Sequence, residues 1–313
     1  MLSEQFYETL FLIRRVEEEA ARIYPTDKIR SPMHLSIGQE SVSVGVCAAL
    51  RAEDVVFGTY RCHALYLAKG GDLKKMVAEL YGKYSGCAKG KGGSMHLIDP
   101  AAGVLGSSAI VGTTIPQAVG YALALKYQRK PAIVACFFGD GAVEEGAFHE
   151  SLNFAVLKKL PILFVCENNF YAIHSHILTR QPTANVIDRA KAYGIPVAQH
   201  DGNDIAGLHT ATKSAADAIR NGGGPQFFEC LTYRWREHVG IAEDYHTGYR
   251  TREEAQPWHD NDPVAKLAAQ LDAQQRQAIE ARVEERIRES FAYAEAEPFP
   301  EVSALYEDVL KES

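Results

Sequence analysis

No stretch of this 313-residue chain reaches the roughly 18 uninterrupted apolar residues that a membrane span needs. Nor is there a basic block or stripe of the kind that nucleic-acid binders use to hold phosphate. With 33 basic against 40 acidic residues and a net charge of -7, neither nucleic acid nor a membrane is an expected partner. The six cysteines (Cys47, Cys62, Cys87, Cys136, Cys166, Cys230) include no C-x-x-C pair, and several sit inside apolar runs. That excludes a disulfide frame or zinc ribbon and predicts buried, reduced thiols. The N-terminus, MLSEQFYETLFLIRRVEEEAARIY, lacks the cationic start and short apolar core of a signal peptide, and its acidic residues do not suit a transit peptide. Phe6, Leu10, Ile13 and Ala20 instead share one helical face. A cytoplasmic chain is expected, and internal repeats and low-complexity segments are absent.

Apolar and charged residues make up 46% and 23% of the chain, enough for a full globular core. After the first helix and a polar loop, SIGQESVSVGVCAALRAEDVV reads as a helix ending near Arg51. A glycine-rich stretch, residues 86 to 108, reads as a loop wrapping a ligand, and the segment after it becomes helical. From there the chain alternates. PAIVACFF and PILFVCEN are strand-like runs joined by the helical AFHESLNFAVLKKL, and residues 180 to 193 read as helix. IPVAQHDGND, a helix over LHTATKSAADAIRNGGG and the run PQFFECLTYR follow. Strands apolar on both faces with helical connections predict an α/β fold, a parallel sheet with helices on both faces. One domain is expected over 1–313, with helical arms at 1–50 and 252–313 around a core at 51–251.

The two strand-like runs end in polar clusters, Gly139-Asp140-Gly141 and Asn168-Asn169, separated by the 26 residues 142 to 167. A helix and a returning strand fill that interval, so a parallel crossover sets Asp140 beside Asn169. Ligands of such sheets bind at the carboxyl ends of the strands. One carboxylate and one amide make a poor cage alone. Mg²⁺ accepts few protein ligands when phosphate oxygens complete its octahedron, so the pair implies a diphosphate. A helix opening at Ala142 would turn amides toward that anion, and Gly141 would let it approach. Tyr60 and Arg61 offer a hydroxyl and a guanidinium.

These residues carry a family resemblance. GDGAVEEGAFHESLNFAVLKKLPILFVCENNFYAI resembles the cofactor segment of the α subunits of thiamine diphosphate-dependent 2-oxo acid dehydrogenases and acetoin dehydrogenases. The likeness extends through HLSIGQESVSVG, TYRCH, KGKGGSMHL, IVGTTIPQAVGYALA, DGND, GGGPQFFEC, GYRTREE and FAYAEAEPFPEVSALYEDVL. It implies thiamine diphosphate and Mg²⁺ as cofactors, with the metal on Asp140, Asn169 and the carbonyl of Tyr171. It also implies Tyr60, Arg61 and the amides of Gly141 and Ala142 on the diphosphate, with Gly139 beside them. Ile110, Val111 and Gly112 would meet the aminopyrimidine. The carboxylic acid that activates the cofactor has no match in this chain. In the family it belongs to a β subunit, so an α2β2 heterotetramer is implied, with a lipoyl acyltransferase as a further partner.

His63 and His238 are the expected proton-handling residues on the substrate side, His238 also touching the cofactor. His34 matches a family position without a derived role. The loop around His238 departs from the family pattern: where pyruvate dehydrogenases have His-Gly-His-Ser, this chain has Arg236-Glu237-His238-Val239. Regulation by phosphorylation of that serine is therefore not expected. Arg236 could select an anionic donor, and two extra residues separate His238 from the acidic position at Asp244.

The function expected from this resemblance is decarboxylation of a 2-oxo acid or cleavage of an acyloin, with transfer of the acyl unit to lipoamide. A carboligase or split transketolase that hands a two-carbon unit to an aldehyde or sugar shares the same motif. A silent scaffold is a third reading, opposed by the intact Asp140, Asn169, Tyr60 and Arg61.

Overall fold

Residues 2–308 are described by a computed structural model; Met1 and the end of the expected C-terminal arm, 309–313, lie outside the described residues. The strands are β1 (Val55–Thr59), β2 (Val104–Ser108), β3 (Val134–Gly139), β4 (Ile162–Asn168), a short hairpin of β5 (Tyr171–Ala172) and β6 (Ser175–His176), then β7 (Val197–Asp201) and β8 (Gln226–Leu231). Six of them form one sheet in the order β2-β1-β3-β4-β8-β7, with every pairing parallel. The expected α/β architecture is present. β1 and β2 were not read from the sequence: Gly58 and Gly106 interrupt their apolar patterns, and β2 lies inside the glycine-rich stretch.

Side chains alternate across the sheet as the strand period requires. Val56, Ala135, Phe137, Leu163, Val165, Phe228 and Cys230 enter one apolar cluster. Val55, Phe57, Val134, Cys136, Phe138, Ile162, Phe164, Cys166 and Phe227 enter the other. The first is covered by α1 (Leu2–Ile23), α2 (Glu40–Ala49), α3 (His63–Ala68), α4 (Leu73–Leu80), α9 (Ile205–Ala218) and α12 (Ala273–Ala296). The second is covered by α5 (Thr114–Tyr127), α6 (Gly146–Leu157) and α8 (Ile187–Lys191). The predicted face of α1 is buried at Phe6, Leu10, Ile13 and Ala20. Its polar side meets α12 through Tyr7 and Glu280 (2.7 Å), Arg15 and Glu284 (2.6 Å), and Glu8 and Arg282 (2.7 Å). The six cysteines are free thiols; five are buried as expected, and Cys87 is half-buried. No helix among the described residues is long and apolar enough to cross a membrane.

Three local expectations are corrected. Residues 180 to 193 are not one helix: a single turn, α7 (Ile177–Arg180), is followed by irregular chain before α8. α6 starts at Gly146 rather than Ala142, because Asp140–Glu144 forms a 3₁₀ turn first. The glycine-rich loop wraps a group of this chain's own. The buried Glu79 carboxylate accepts from the amides of Ala88 (2.8 Å), Gly90 (2.9 Å), Gly92 (2.7 Å) and Gly93 (3.0 Å). Small residues allow that many amides to converge on one anion, much as they would on a phosphate.

Glu79 should therefore hold the loop closed. Glu79→Ala is expected to destabilise the protein by about 3 kcal/mol, since bonds to a charged acceptor are among the stronger ones. It should also raise amide exchange selectively over residues 86–93. Unchanged protection there would show that the carboxylate is not the organising group.

Candidate active site

Five strands or their following loops deliver residues to one cavity of about 300 Å³ at the carboxyl edge of the sheet. β1 leads into Tyr60 and Arg61, β2 into Ser108–Gly112, β3 into Asp140, β4 into Asn169 and β8 into the loop bearing His238. The connection leaving β1 runs to β2 on one side and that leaving its neighbour β3 runs to β4 on the other, which opens a crevice between the ends of β1 and β3. A larger cleft of about 520 Å³ lies between the glycine loop and the C-terminal helices. Its lysines are already engaged: Lys28 with Glu295, Lys83 with the Glu297 carbonyl and Lys91 with the Glu307 carbonyl. The smaller cavity holds the unmatched chemistry.

Asp140 is the centre of it. The residue is 1% exposed; Oδ2 accepts from Arg180 Nη2 at 2.5 Å, while Oδ1 is buried with no hydrogen-bond partner. Burial pushes its carboxyl up, and Arg180 together with the backbone of Asp140 and Asn169 pulls it back down. A buried carboxylate oxygen without a donor is an unfilled requirement for positive charge. Asn169 stands beside it, its Nδ2 donating to Gln39 Oε1 (2.9 Å) and its Oδ1 accepting from the Tyr171 amide (3.0 Å). A carbonyl oxygen keeps a second lone pair. Phe170 and Ile173 on either side of Tyr171 are held at φ of 69° and 54°, the left-handed region that side chains disfavour. Asn168 Oδ1 accepts from the Phe170 amide at 3.0 Å and fixes that bend. The donor set fits a hard divalent ion: a free carboxylate oxygen, an amide oxygen and a nearby carbonyl. Among the described residues no group of three or more His, Cys, Asp or Glu side chains could hold a metal. A cation here would thus need further oxygen from a ligand.

The glycines flanking Asp140 have different reasons. A Cβ on Gly141 would come within 2.9 Å of the Ala172 side chain, so that glycine serves the close packing of the hairpin against the turn. Gly139 has open space around it, its nearest neighbour being the Glu167 carbonyl at 4.0 Å. Both Gly139 and Gly141 line the cavity. Ala142 is buried and belongs to the 3₁₀ turn.

Arg61 is buried, with Nη1 donating to the Leu35 carbonyl (2.7 Å) and Nη2 to that of His238 (3.0 Å). Burial, aided by Arg234, lowers it to about 10. Beside it, the rings of His34, Tyr60 and His238 pack mutually, with centroids 4.5, 5.1 and 5.6 Å apart. The loop carrying His238 is strapped to the segment before α2 by Trp235 N–H to the Ile37 carbonyl (3.1 Å) and Gly240 N–H to that of Met33 (2.8 Å). Glu237, the departure from the expected pattern, closes the turn by accepting from the Ala242 amide at 2.8 Å. Asp244 is locked on Arg250 (2.7 Å). Arg236 does not line the cavity. Ile110 and Val111 do, at 68% and 43% exposure, and Gly112 adopts a φ of 79°.

His63 is corrected. It is 0% exposed, its Nδ1 lies 3.0 Å from Glu17 Oε1 and its Nε2 2.8 Å from Ser94 Oγ, and it does not reach the cavity. With both ring nitrogens engaged it ties α1 to the glycine loop and is not available for substrate protons. The cavity lining also includes polar residues that the sequence reading does not single out, among them Gln39, Glu144, Glu145, Glu167 and Arg180. Gln39, Glu144, Glu145 and Glu167 fall inside the motifs that carry the resemblance, and their contact with the cavity is set by tertiary packing. Burial pushes the Glu167 carboxyl up to about 7 despite the lowering influence of Arg61.

The chain matches the family model described as dehydrogenase E1 component over residues 8–303. It is 38% identical over 308 residues to the α subunit of acetoin:2,6-dichlorophenolindophenol oxidoreductase of Bacillus subtilis, covering 97% of this chain and 92% of that one. It is 35% identical over 311 residues to the pyruvate dehydrogenase E1 component subunit alpha of Rhizobium meliloti, covering 97% and 88%. With the mitochondrial pyruvate dehydrogenase E1 component subunit alpha of Saccharomyces cerevisiae it shares 36% identity over 314 residues, covering 97% and 73%.

Burial and the nearby Arg61 pull both His34 and His238 down to about 3. Both imidazoles should therefore stay neutral between about pH 8 and pH 5. In the unfolded chain they take up protons near 6.5, so the stability they contribute above that pH should fall away as pH drops toward 3. Imidazole proton NMR should show flat shifts for the pair over the neutral range. An inflection near pH 6.5 for either would contradict this placement.

Proposed function

The chain belongs to the dehydrogenase E1 component family, and on that premise we propose that it is the α subunit of a heteromeric thiamine diphosphate-dependent oxidoreductase. It decarboxylates a 2-oxo acid or cleaves an acyloin, and the acyl unit passes to lipoamide. The observation that carries this reading is the unpartnered Oδ1 of Asp140, buried beside Asn169 at the crevice of a parallel sheet.

Asp140, Asn169 and the Tyr171 carbonyl would hold Mg²⁺. Tyr60, Arg61 and the amides of Gly141 and Ala142 would face the diphosphate, and Ile110–Gly112 the aminopyrimidine. When bound, thiamine diphosphate supplies the electron sink for cleaving the bond next to a carbonyl. The protein's part is to orient and desolvate. Arg61, spanning the Leu35 and His238 carbonyls, keeps two loops in register around the cavity. His238, neutral at its wall, can accept or donate one proton on the substrate side. No glutamate of this chain matches the activating acid that the resemblance implies. The activating acid is therefore assigned to a β subunit, in an α2β2 assembly served by a lipoyl acyltransferase. The whole chain acts as one diphosphate-binding domain in this scheme.

A second reading rests on the altered loop. Glu237 closes the turn at the cavity mouth and leaves Val239 exposed, where the family pattern has glycine and serine. An aldehyde or sugar acceptor, and hence a carboligase or split transketolase, is the competing chemistry for such an entrance.

Co-purified with its β partner, the enzyme should reduce lipoamide at the expense of pyruvate, a branched 2-oxo acid or acetoin. Asp140→Ala should lower kcat/KM by at least about 100-fold, as expected for loss of a metal ligand. Carboligation without lipoamide reduction would favour the second reading. Full turnover by this chain alone would overturn the division of labour.

A further inference from the structure

Helix α1 lines no part of the cavity, yet Glu17 on it is 0% exposed and bonded to the segment that braces the site. Its Oε1 accepts from the Ser36 N–H at 2.7 Å and lies 3.0 Å from His63 Nδ1, while Oε2 is buried with no partner. The Ser36 N–H shares its peptide group with the Leu35 carbonyl. That carbonyl accepts from Arg61 Nη1, also at 2.7 Å. In a planar trans peptide the N–H and C=O point in opposite directions. One peptide group therefore lies between a buried carboxylate and the guanidinium that faces the cavity.

The other carbonyls of this segment repeat the pattern. Those of Met33, Leu35 and Ile37 accept in turn from the Gly240 N–H, Arg61 and the Trp235 N–H. One edge of the segment thus serves the loops of the site, and the Ser36 N–H leaves from the other toward Glu17. Both side-chain bonds of Arg61 go to carbonyls, so its direction depends on how those carbonyls are held. Burial, then Arg234, works against its charge, and Tyr60, Glu17 and Glu167 favour it. In a buried chain of bonds each one polarises the next, so a carboxylate on the N–H makes the carbonyl a better acceptor. We infer that Glu17 is a positioning residue for Arg61, acting through the peptide between Leu35 and Ser36: the N-terminal arm sets the direction in which the guanidinium meets an anionic ligand. With a diphosphate as that ligand, this rests on the function proposed above.

The first test is proton NMR of the perdeuterated 313-residue chain. The Ser36 amide proton should resonate at low field, as befits a short bond to a carboxylate, and Glu17→Gln should move it upfield. An ordinary shift that Glu17→Gln leaves in place would overturn the inference. The second test is calorimetry of the complex with the β subunit, titrated with thiamine diphosphate in excess Mg²⁺. Glu17→Ala should weaken cofactor binding about tenfold, the scale of coupling within one bonded network. Its kcat at saturating cofactor should stay within about twofold of wild type, because the lost contact serves binding and not the reacting bond. Glu17→Gln, which keeps an acceptor for Ser36, should recover most of the affinity. In an Arg61→Gln background, Glu17→Ala should change the affinity by less than about twofold. An equal loss in both backgrounds would show that Glu17 acts on the fold and not through Arg61. If Glu17→Ala does not fold, the Ser36 signal and Glu17→Gln decide. A wild-type complex that binds no thiamine diphosphate would remove the proposed function, and the Ser36 signal would still decide the peptide link.

Discussion

A buried carboxylate with one unmatched oxygen is the feature on which the rest of this structure turns. Asp140 sits where a central parallel strand ends, out of contact with water, and an ionised group in such a place needs opposite charge. Arg180 supplies part of it through Oδ2. In the proposed function the remainder is supplied by a cation at Oδ1, beside an amide oxygen already oriented by Gln39 and the Tyr171 backbone. The proposed metal and polyanion would relieve this local imbalance.

The sheet explains why so many separate segments reach that point. Strand order β2-β1-β3-β4-β8-β7 sends successive connections to opposite sides of β1. Loops that are distant in sequence therefore share one edge. Each is then braced by groups that never touch a ligand. Glu79 gathers four amides of the glycine loop, His63 links α1 to Ser94, and Asp244 with Arg250 steadies the loop of His238. Such bracing keeps reacting groups within the small tolerances that positioning demands.

Much of this was legible in the sequence because it depends on local order. Gly139-Asp140-Gly141, a helix, a strand and Asn168-Asn169 in succession permit one parallel crossover, and that crossover sets the pair side by side. The helical face of α1 and the two-sided strands β3, β4 and β8 follow from spacing alone. What could not be read depends on packing between distant segments. Arg61 and His63 share one short motif, yet Arg61 faces the cavity and His63 turns into the core against Glu17. Gly141 also has to leave room for Ala172, a residue 31 positions further on, which local order does not reveal. Arg180 lay in a stretch whose composition suited a helix, and its contacts with Asp140 and Glu144 arise only once the β5–β6 hairpin folds back over the turn.

The most direct measurement is anomalous diffraction from a crystal of the chain with its β partner, grown with Mn²⁺ and thiamine diphosphate. A single manganese peak within about 2.0–2.3 Å of Asp140 Oδ1, Asn169 Oδ1 and the Tyr171 carbonyl is the result expected for a small hard cation. A peak bound elsewhere, or a cofactor seated with Asp140 Oδ1 still unpartnered, would contradict the central claim.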